Sequence, residues 1–211
     1  RSQQENHLAF VMMEKINGLS SQLETIVYDD ETRIDLVATG SVLRLFSGDV
    51  GDACYNSKHE QLAKGEYPGV RSLMFVTHRG DGKERLVGSV LFIEAETKDG
   101  KRVLVIRANN PRQNLLSVVS VDDLVEQTIQ AVIRVAKRGG FDFVVLPMDE
   151  AGQSSSNRKE VSDVYKKRFR TNQRIALKRS QETAFNGYDL TDPKGQHGVV
   201  VVWEKNMTVT K

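Results

Sequence analysis

Residues 121–147 read VDDLVEQTIQAVIRVAKRGGFDFVVLP, and this stretch decides the fold. Leu124, Val125, Ile129, Val132, Ile133 and Ala136 recur at three- and four-residue spacing, which makes one apolar stripe on a helix. Val121-Asp-Asp opens it with acids where the helix dipole is positive. Lys137-Arg-Gly-Gly closes it with basic residues and a glycine able to adopt the left-handed cap. Phe141-Asp-Phe-Val-Val-Leu-Pro147 then changes period, to the continuous apolar run of a strand covered on both faces. Upstream, Val103-Leu-Val-Ile-Arg-Ala108 is a second apolar strand. A strand–helix–strand unit of this kind predicts a right-handed crossover between parallel strands.

Moving towards the N-terminus, Val70–Thr77 and Arg85–Ala95 read as strands joined through His78-Arg-Gly-Asp-Gly-Lys-Glu84. Asp81-Gly82 is strong hairpin chemistry, because glycine accepts positive φ without a Cβ penalty. A second turn at Lys98–Lys101 leads into Val103, so three antiparallel strands form a meander. Before them, Asn6–Leu23 predicts an amphipathic helix, Ile26–Glu31 a short strand running into a turn, and Val42–Phe46 another strand. Cys54–Gly69 is polar and reads as a loop with room for a short helix. Beyond the deciding stretch, Ser154-Ser-Ser-Asn157 offers N-caps for a helix reaching about Arg170. Ile175–Lys178 and Gly198–Glu204 read as closing strands, with Trp203 in the core. The expectation is a mixed α/β (α+β) domain over 41–211, preceded by a helix and lead-in over 1–40.

The composition supports a packed core: 39% of the residues are hydrophobic and 27% charged, which removes disorder as the default. A formal net charge of +2 gives no general electrostatic case for nucleic acid or an anionic membrane. The single cysteine, Cys54, excludes an internal disulfide framework and a cysteine-rich zinc site. A reducing, cytoplasmic setting is the simplest expectation. No apolar run approaches the length of a bilayer span. Arg1–Asn6 shows no apolar signal-peptide segment, and the start without Met leaves open a fragment or a processed form.

Three stretches together resemble the GNAT (N-acetyltransferase) superfamily. The hairpin Phe75–Phe92 is similar to the family's second and third strands, where a turn precedes an "(I/V)-V-G" segment. Val103–Pro111, the loop after it and the helix and strand through Leu146 are similar to its fourth strand, cofactor loop, third helix and fifth strand. Asn157-Arg158, followed by Val161, Tyr165 and Phe169, is similar to its fourth-helix pattern N-x-x-A-x-x-x-Y-x-x-x-G-F. The coverage is about Val70 to Phe169. The family's (Q/R)-x-x-G-x-(G/A) loop lets backbone N–H groups approach the CoA pyrophosphate at a helix N-terminus. Here that stretch is Arg112-Gln-Asn-Leu-Leu-Ser-Val-Val-Ser120, without glycine, and Phe169 stands where a glycine is expected.

The resemblance implies an acyl-CoA-dependent N-acyltransferase for an unidentified amine, with acetyl-CoA as the cofactor. It implies that Tyr165 protonates the departing thiolate and that backbone near Asn109, Asn110 and Arg107 polarises the acyl carbonyl. Arg112, Gln113 and Asn114, with Asn157 and Arg158 at the next helix start, are the remaining donors for the cofactor. Each has an ordinary reading beside it: a packed core tyrosine, an Asn-Asn-Pro turn, and an N-cap with a surface arginine. One alternative function is a GNAT-like domain without catalysis, serving as a binding or scaffolding module of a larger protein. Another is a cysteine-dependent enzyme centred on Cys54, with His59 as base and Asp49 or Asp52 orienting it. Lys166–Arg170 with Arg174, Lys178 and Arg179 forms the one basic cluster, readable as a seat for an anionic partner or as a solvated helix face.

Overall fold

The computed structural model describes residues 33–38, 58–78, 84–148, 155–187, 190–191 and 198–206. The helix expected over 6–23, the strands at 26–31 and 42–46, and Asp49, Asp52 and Cys54 lie outside these residues, as does the boundary at residue 40. The described elements are β1 (Arg33–Ala38), α1 (His59–Ala63), β2 (Val70–His78), β3 (Glu84–Glu96) and β4 (Arg102–Pro111), then α2 (Val121–Gly139), β5 (Phe143–Leu146), α3 (Lys159–Phe169), β6 (Arg174–Ile175) and β7 (Val199–Glu204).

The strands form one seven-stranded sheet in the order β1-β2-β3-β4-β5-β7-β6. Every neighbouring pair is antiparallel except β4 and β5, which run parallel on either side of the α2 crossover. The architecture is therefore the mixed, mostly antiparallel α/β arrangement expected from the sequence. Strand β1 was not anticipated, although Arg-Ile-Asp-Leu alternates with period two. It pairs along β2, with Ile34 and Leu36 against the helix-side core.

Sequence chemistry fixes α2 at both ends. Ser120 is the N-cap, its hydroxyl accepting the Asp123 N–H, and Asp122 and Asp123 lie in the first turn. At the other end Gly140 takes a left-handed conformation at φ 68° and ψ 32°, and Phe141 N–H reaches back to the Ala136 carbonyl at 3.0 Å. The stripe buries Leu124, Val125, Ile129, Val132, Ile133 and Ala136 against the sheet. Each fully buried aliphatic side chain contributes about 1.5–3 kcal/mol.

Two cores result, one on each face of the sheet. On the helix side Phe75, Val90, Leu104, Ile106, Val144 and Trp203 meet α2 and α3. On the other face Leu91, Ile93, Val103, Val105, Val145 and Val201 are covered by Leu177, Phe185 and Leu190. No helix among the described residues is long and apolar enough to cross a membrane.

Two expected features are corrected. Asn109-Asn110-Pro111 is not a turn: β4 runs through it, paired to β3 as far as Pro111 opposite Gly88. Nor is any of Ser155–Asn157 the N-cap residue of α3, although Ser156 Oγ accepts the Arg158 N–H at 3.0 Å; Ser154 lies outside the described residues. Arg158 occupies the N-cap position without a side-chain cap bond.

Candidate functional site

Strand β4 carries a bulge. Phe92 pairs with Ile106 and Leu91 pairs with Ala108, so Arg107 is the extra residue. Before the bulge Leu104 and Ile106 face the helices, whereas beyond it Ala108 belongs to the opposite core. The insertion thus turns Asn109 towards the helices. Its Nδ2 donates to Tyr165 Oη on α3 at 2.9 Å and to Thr128 Oγ1 on α2 at 3.3 Å. All three residues are 0% exposed.

The bulge lies where the sheet opens. Strands β4 and β5 pair over Val103–Val105 and Phe143–Val145. Strand β5 ends at Leu146, whereas β4 continues to Pro111 without a β5 partner. Openings at the carboxyl ends of parallel strands are where α/β proteins tend to bind ligands.

In this chain the free edge of β4 is covered by the residues that lead into α3. Asn109 N–H donates to the Ser155 carbonyl at 2.8 Å. Ser156 Oγ donates to the Asn109 carbonyl at 2.6 Å, and Asn157 N–H donates to Asn110 Oδ1 at 3.0 Å. Arg158 Nε donates to the Pro111 carbonyl at 2.8 Å. Ser155–Arg158 therefore supplies the hydrogen bonds that β5 stops supplying.

Gly88 makes the same edge possible from the β3 side. Its φ is +151°, and a Cβ there would lie 2.5 Å from Pro111 Cα and 2.7 Å from the Asn110 carbonyl oxygen. Close backbone approach of this kind needs glycine.

Burial pushes the Tyr165 phenol well above its ordinary pKa, opposed in part by the Asn109 hydrogen bond and the Arg168 charge. The hydroxyl stays protonated across the physiological range. Asn109 Oδ1 is buried with no hydrogen-bond partner among the described residues.

The structure brings most of the expected site residues to this end of the sheet. Tyr165 and Asn109 touch, and Asn110, Asn157 and Arg158 meet along the β4 edge. Arg107 and Arg112 are buried at the bulge and just past β4. Gln113 and Asn114 lie in a 3-10 helix, Gln113–Ser117, with Gln113 Nε2 donating to Glu160 Oε1 at 3.0 Å. His59 falls in α1.

Two members of the basic run pair with acids of other elements. Arg168 bonds Asp122 at 3.1 Å and Glu126 at 2.8 Å, while Lys178 pairs with Glu96 at 3.5 Å. Thr128 is the site residue that sequence reading missed. Its signal was a lone hydroxyl inside the apolar stripe of α2.

The residues present fit the two ends of acyl-CoA unequally. A backbone N–H and a protonated phenol lie at the end of β4 where the acyl end would sit, with the N–H held by the Ser155 carbonyl and both residues fully buried. The pyrophosphate end lacks its usual seat. The 3-10 helix buries Leu115, and Ser120 already caps α2 above two acids. A recess of about 490 Å³ between Gln113–Ser117 and α3 has the Glu160 carboxylate as its only ionisable lining group among the described residues, which opposes phosphate. A second recess of about 510 Å³ lies at the other end of the sheet, beside Arg102 and Glu94. Arg71 there pairs with Glu94 at 2.7 Å and Lys178 with Glu96 at 3.5 Å, and it takes no part in this site.

No protein-family model matches the chain, and no curated protein does. Among solved structures, an acetyltransferase of Trypanosoma brucei is similar at 17% identity and a TM-score of 0.42. The match covers 71% of this chain and 99% of that one. A tyrosine-to-phenylalanine variant of KacT is similar at 12% identity and a TM-score of 0.39, over 82% and 94% of the two chains.

Proposed function

We propose that this domain is a GNAT-type N-acyltransferase that moves an acyl group from acyl-CoA to a small-molecule or peptide amine, in the cytoplasm. The observation that supports this reading most is the bulge at Arg107. It turns Asn109 towards the phenol of Tyr165 beside the opening where β4 and β5 part. An acyl thioester supplies an activated carbonyl. The chain's own contribution is a backbone N–H at Asn109, aimed at the opening and held meanwhile by the Ser155 carbonyl.

Tyr165 holds its proton at Oη. Its raised pKa limits what it can do, because a thiol ionises near 8.5 and a phenol near 10, so full transfer to a thiolate is uphill. Tyr165 therefore acts first as a hydrogen-bond donor to developing negative charge, and as a proton source only as that charge grows.

A second reading is favoured by a specific observation. The Ser155 carbonyl occupies the Asn109 N–H, and the start of α2 is already capped. A domain that kept the architecture and lost catalysis, serving as a binding module, would have this closed edge.

Calorimetric titration with acetyl-CoA, and separately with CoA, separates the two. The acyltransferase reading expects a dissociation constant of about 1 µM, equivalent to about −8.2 kcal/mol. Absence of heat with both ligands rejects it, and the search then turns to a macromolecular partner that co-purifies in stoichiometric amount.

A further inference from the structure

Thr128 sits in the middle of α2 with no reason in packing to be polar, since the rest of its stripe is aliphatic. Its hydroxyl donates to the Leu124 carbonyl one turn back, at 2.8 Å. A hydroxyl has one proton, so towards Asn109 it can only accept. That fixes the Asn109 carboxamide. Reversed, Oδ1 would face the Thr128 lone pairs, with no proton between two acceptors. With Nδ2 inward, its two protons go to Thr128 and Tyr165, at 3.3 Å and 2.9 Å.

The consequence reaches Tyr165. Its oxygen accepts from Asn109, so its own proton cannot be held by that side chain. No described residue takes that proton. Leaving Asn109 Oδ1 unpartnered in a buried site is normally costly. Turning the amide would let Tyr165 donate to Oδ1, but it would carry the two Nδ2 protons to the place where Oδ1 now lacks a partner. The acceptor role of Thr128 adds to that cost, and it is the part a substitution on α2 removes.

We infer that Thr128 and Asn109 are positioning residues that aim the Tyr165 proton away from β4, keeping it available to an incoming group. The inference deepens the acyl-transfer reading and rests on it for its catalytic meaning. The orientation itself is testable without any turnover.

The experiment uses the chain with tyrosine labelled at Cζ, whose resonance distinguishes a phenol that accepts from one that donates. In Thr128→Val and Thr128→Ala the amide is free to reverse. The Tyr165 resonance is then expected to move in the same direction in both variants. Thr128→Ser, which restores the hydroxyl, returns it. A resonance unmoved in both Val and Ala variants, or not restored by Ser, overturns the inference.

With acetyl-CoA and an amine that the wild-type chain acylates, Thr128→Val is expected to lower kcat on the order of 10-fold with KM for the donor unchanged. Unchanged kcat there overturns the positioning role. A wild-type chain with no turnover, whose Tyr165 resonance still follows the hydroxyl, leaves the relay standing and removes the acyl-transfer reading instead.

Discussion

The two helices that follow the parallel strands begin in opposite ways. Helix α2 caps itself: Ser120 satisfies its first turn, two acids suit its dipole, and Arg168 from α3 pairs with Asp122 there. Helix α3 has no side-chain cap. The residues before it, Ser155–Asn157, reach out to β4, and Ser156 Oγ accepts the Arg158 N–H while it does so. One start is closed upon itself and the other is closed upon the site. Serine has therefore done two jobs with one chemistry: at 120 it satisfies its own helix, and at 156 it satisfies a strand 47 residues away.

The sharpest way to break this contrast is to move the edge on which α3 leans. Gly88→Ala places a Cβ against the backbone of Pro111 at a φ that side chains rarely adopt. Strain and overpacking together predict a loss of about 3–4 kcal/mol, read by chemical denaturation. A loss under about 1 kcal/mol would mean the β4 end yields freely.

A finer test compares the two serines directly. Ser156→Ala removes the bond to the Asn109 carbonyl and the acceptor for Arg158 N–H. It should cost about 1–3 kcal/mol and speed hydrogen exchange at the Asn109 amide. Ser120→Ala should cost about 1 kcal/mol as a lost N-cap, with exchange at Asn109 changed only by the general loss of stability. If both substitutions accelerate Asn109 alike, Ser156 is merely structural and the edge is not a local latch.

The smallest effect appears only in alkali. The folded-state pKa of Tyr165 lies above the unfolded value, so its share of stability is fully present below about pH 10. It is lost as pH rises through the folded value, because the unfolded chain releases the proton first. Denaturation curves of the wild type should therefore weaken above pH 10 relative to Tyr165→Phe, by at most about 1.4 kcal/mol per pH unit. Parallel curves would show that the phenol is not buried as described.

The periodic elements were legible in the sequence. Helix α2, β5 and the three-stranded meander follow from spacing and turn chemistry, which are local. What escaped depends on partners. Strand β1 is short, and its alternation gains meaning only beside β2. Asn109–Pro111 has turn composition, yet pairing with β3 keeps it extended. The bulge at Arg107 has no residue signature, since it exists only as a count of β4 against β3. Ser155–Asn157 looked like caps because capping is the local use of those side chains, and the sequence carried no sign of a strand edge in need of donors. Tyr165 and Asn109 were both singled out, but their contact, and the Thr128 hydroxyl that orders it, came only from the fold.

The extra residue in β4 also divides the labour of two identical neighbours. Asn109 and Asn110 have the same side chain and adjacent places, yet one serves the phenol inside the domain and the other holds the strap outside it. Nothing in either residue assigns these duties. They are assigned by arithmetic upstream, where one extra residue at Arg107 changes which of the pair counts as inward. Exchanging their roles would require no new chemistry at either asparagine, only a different number of residues before them.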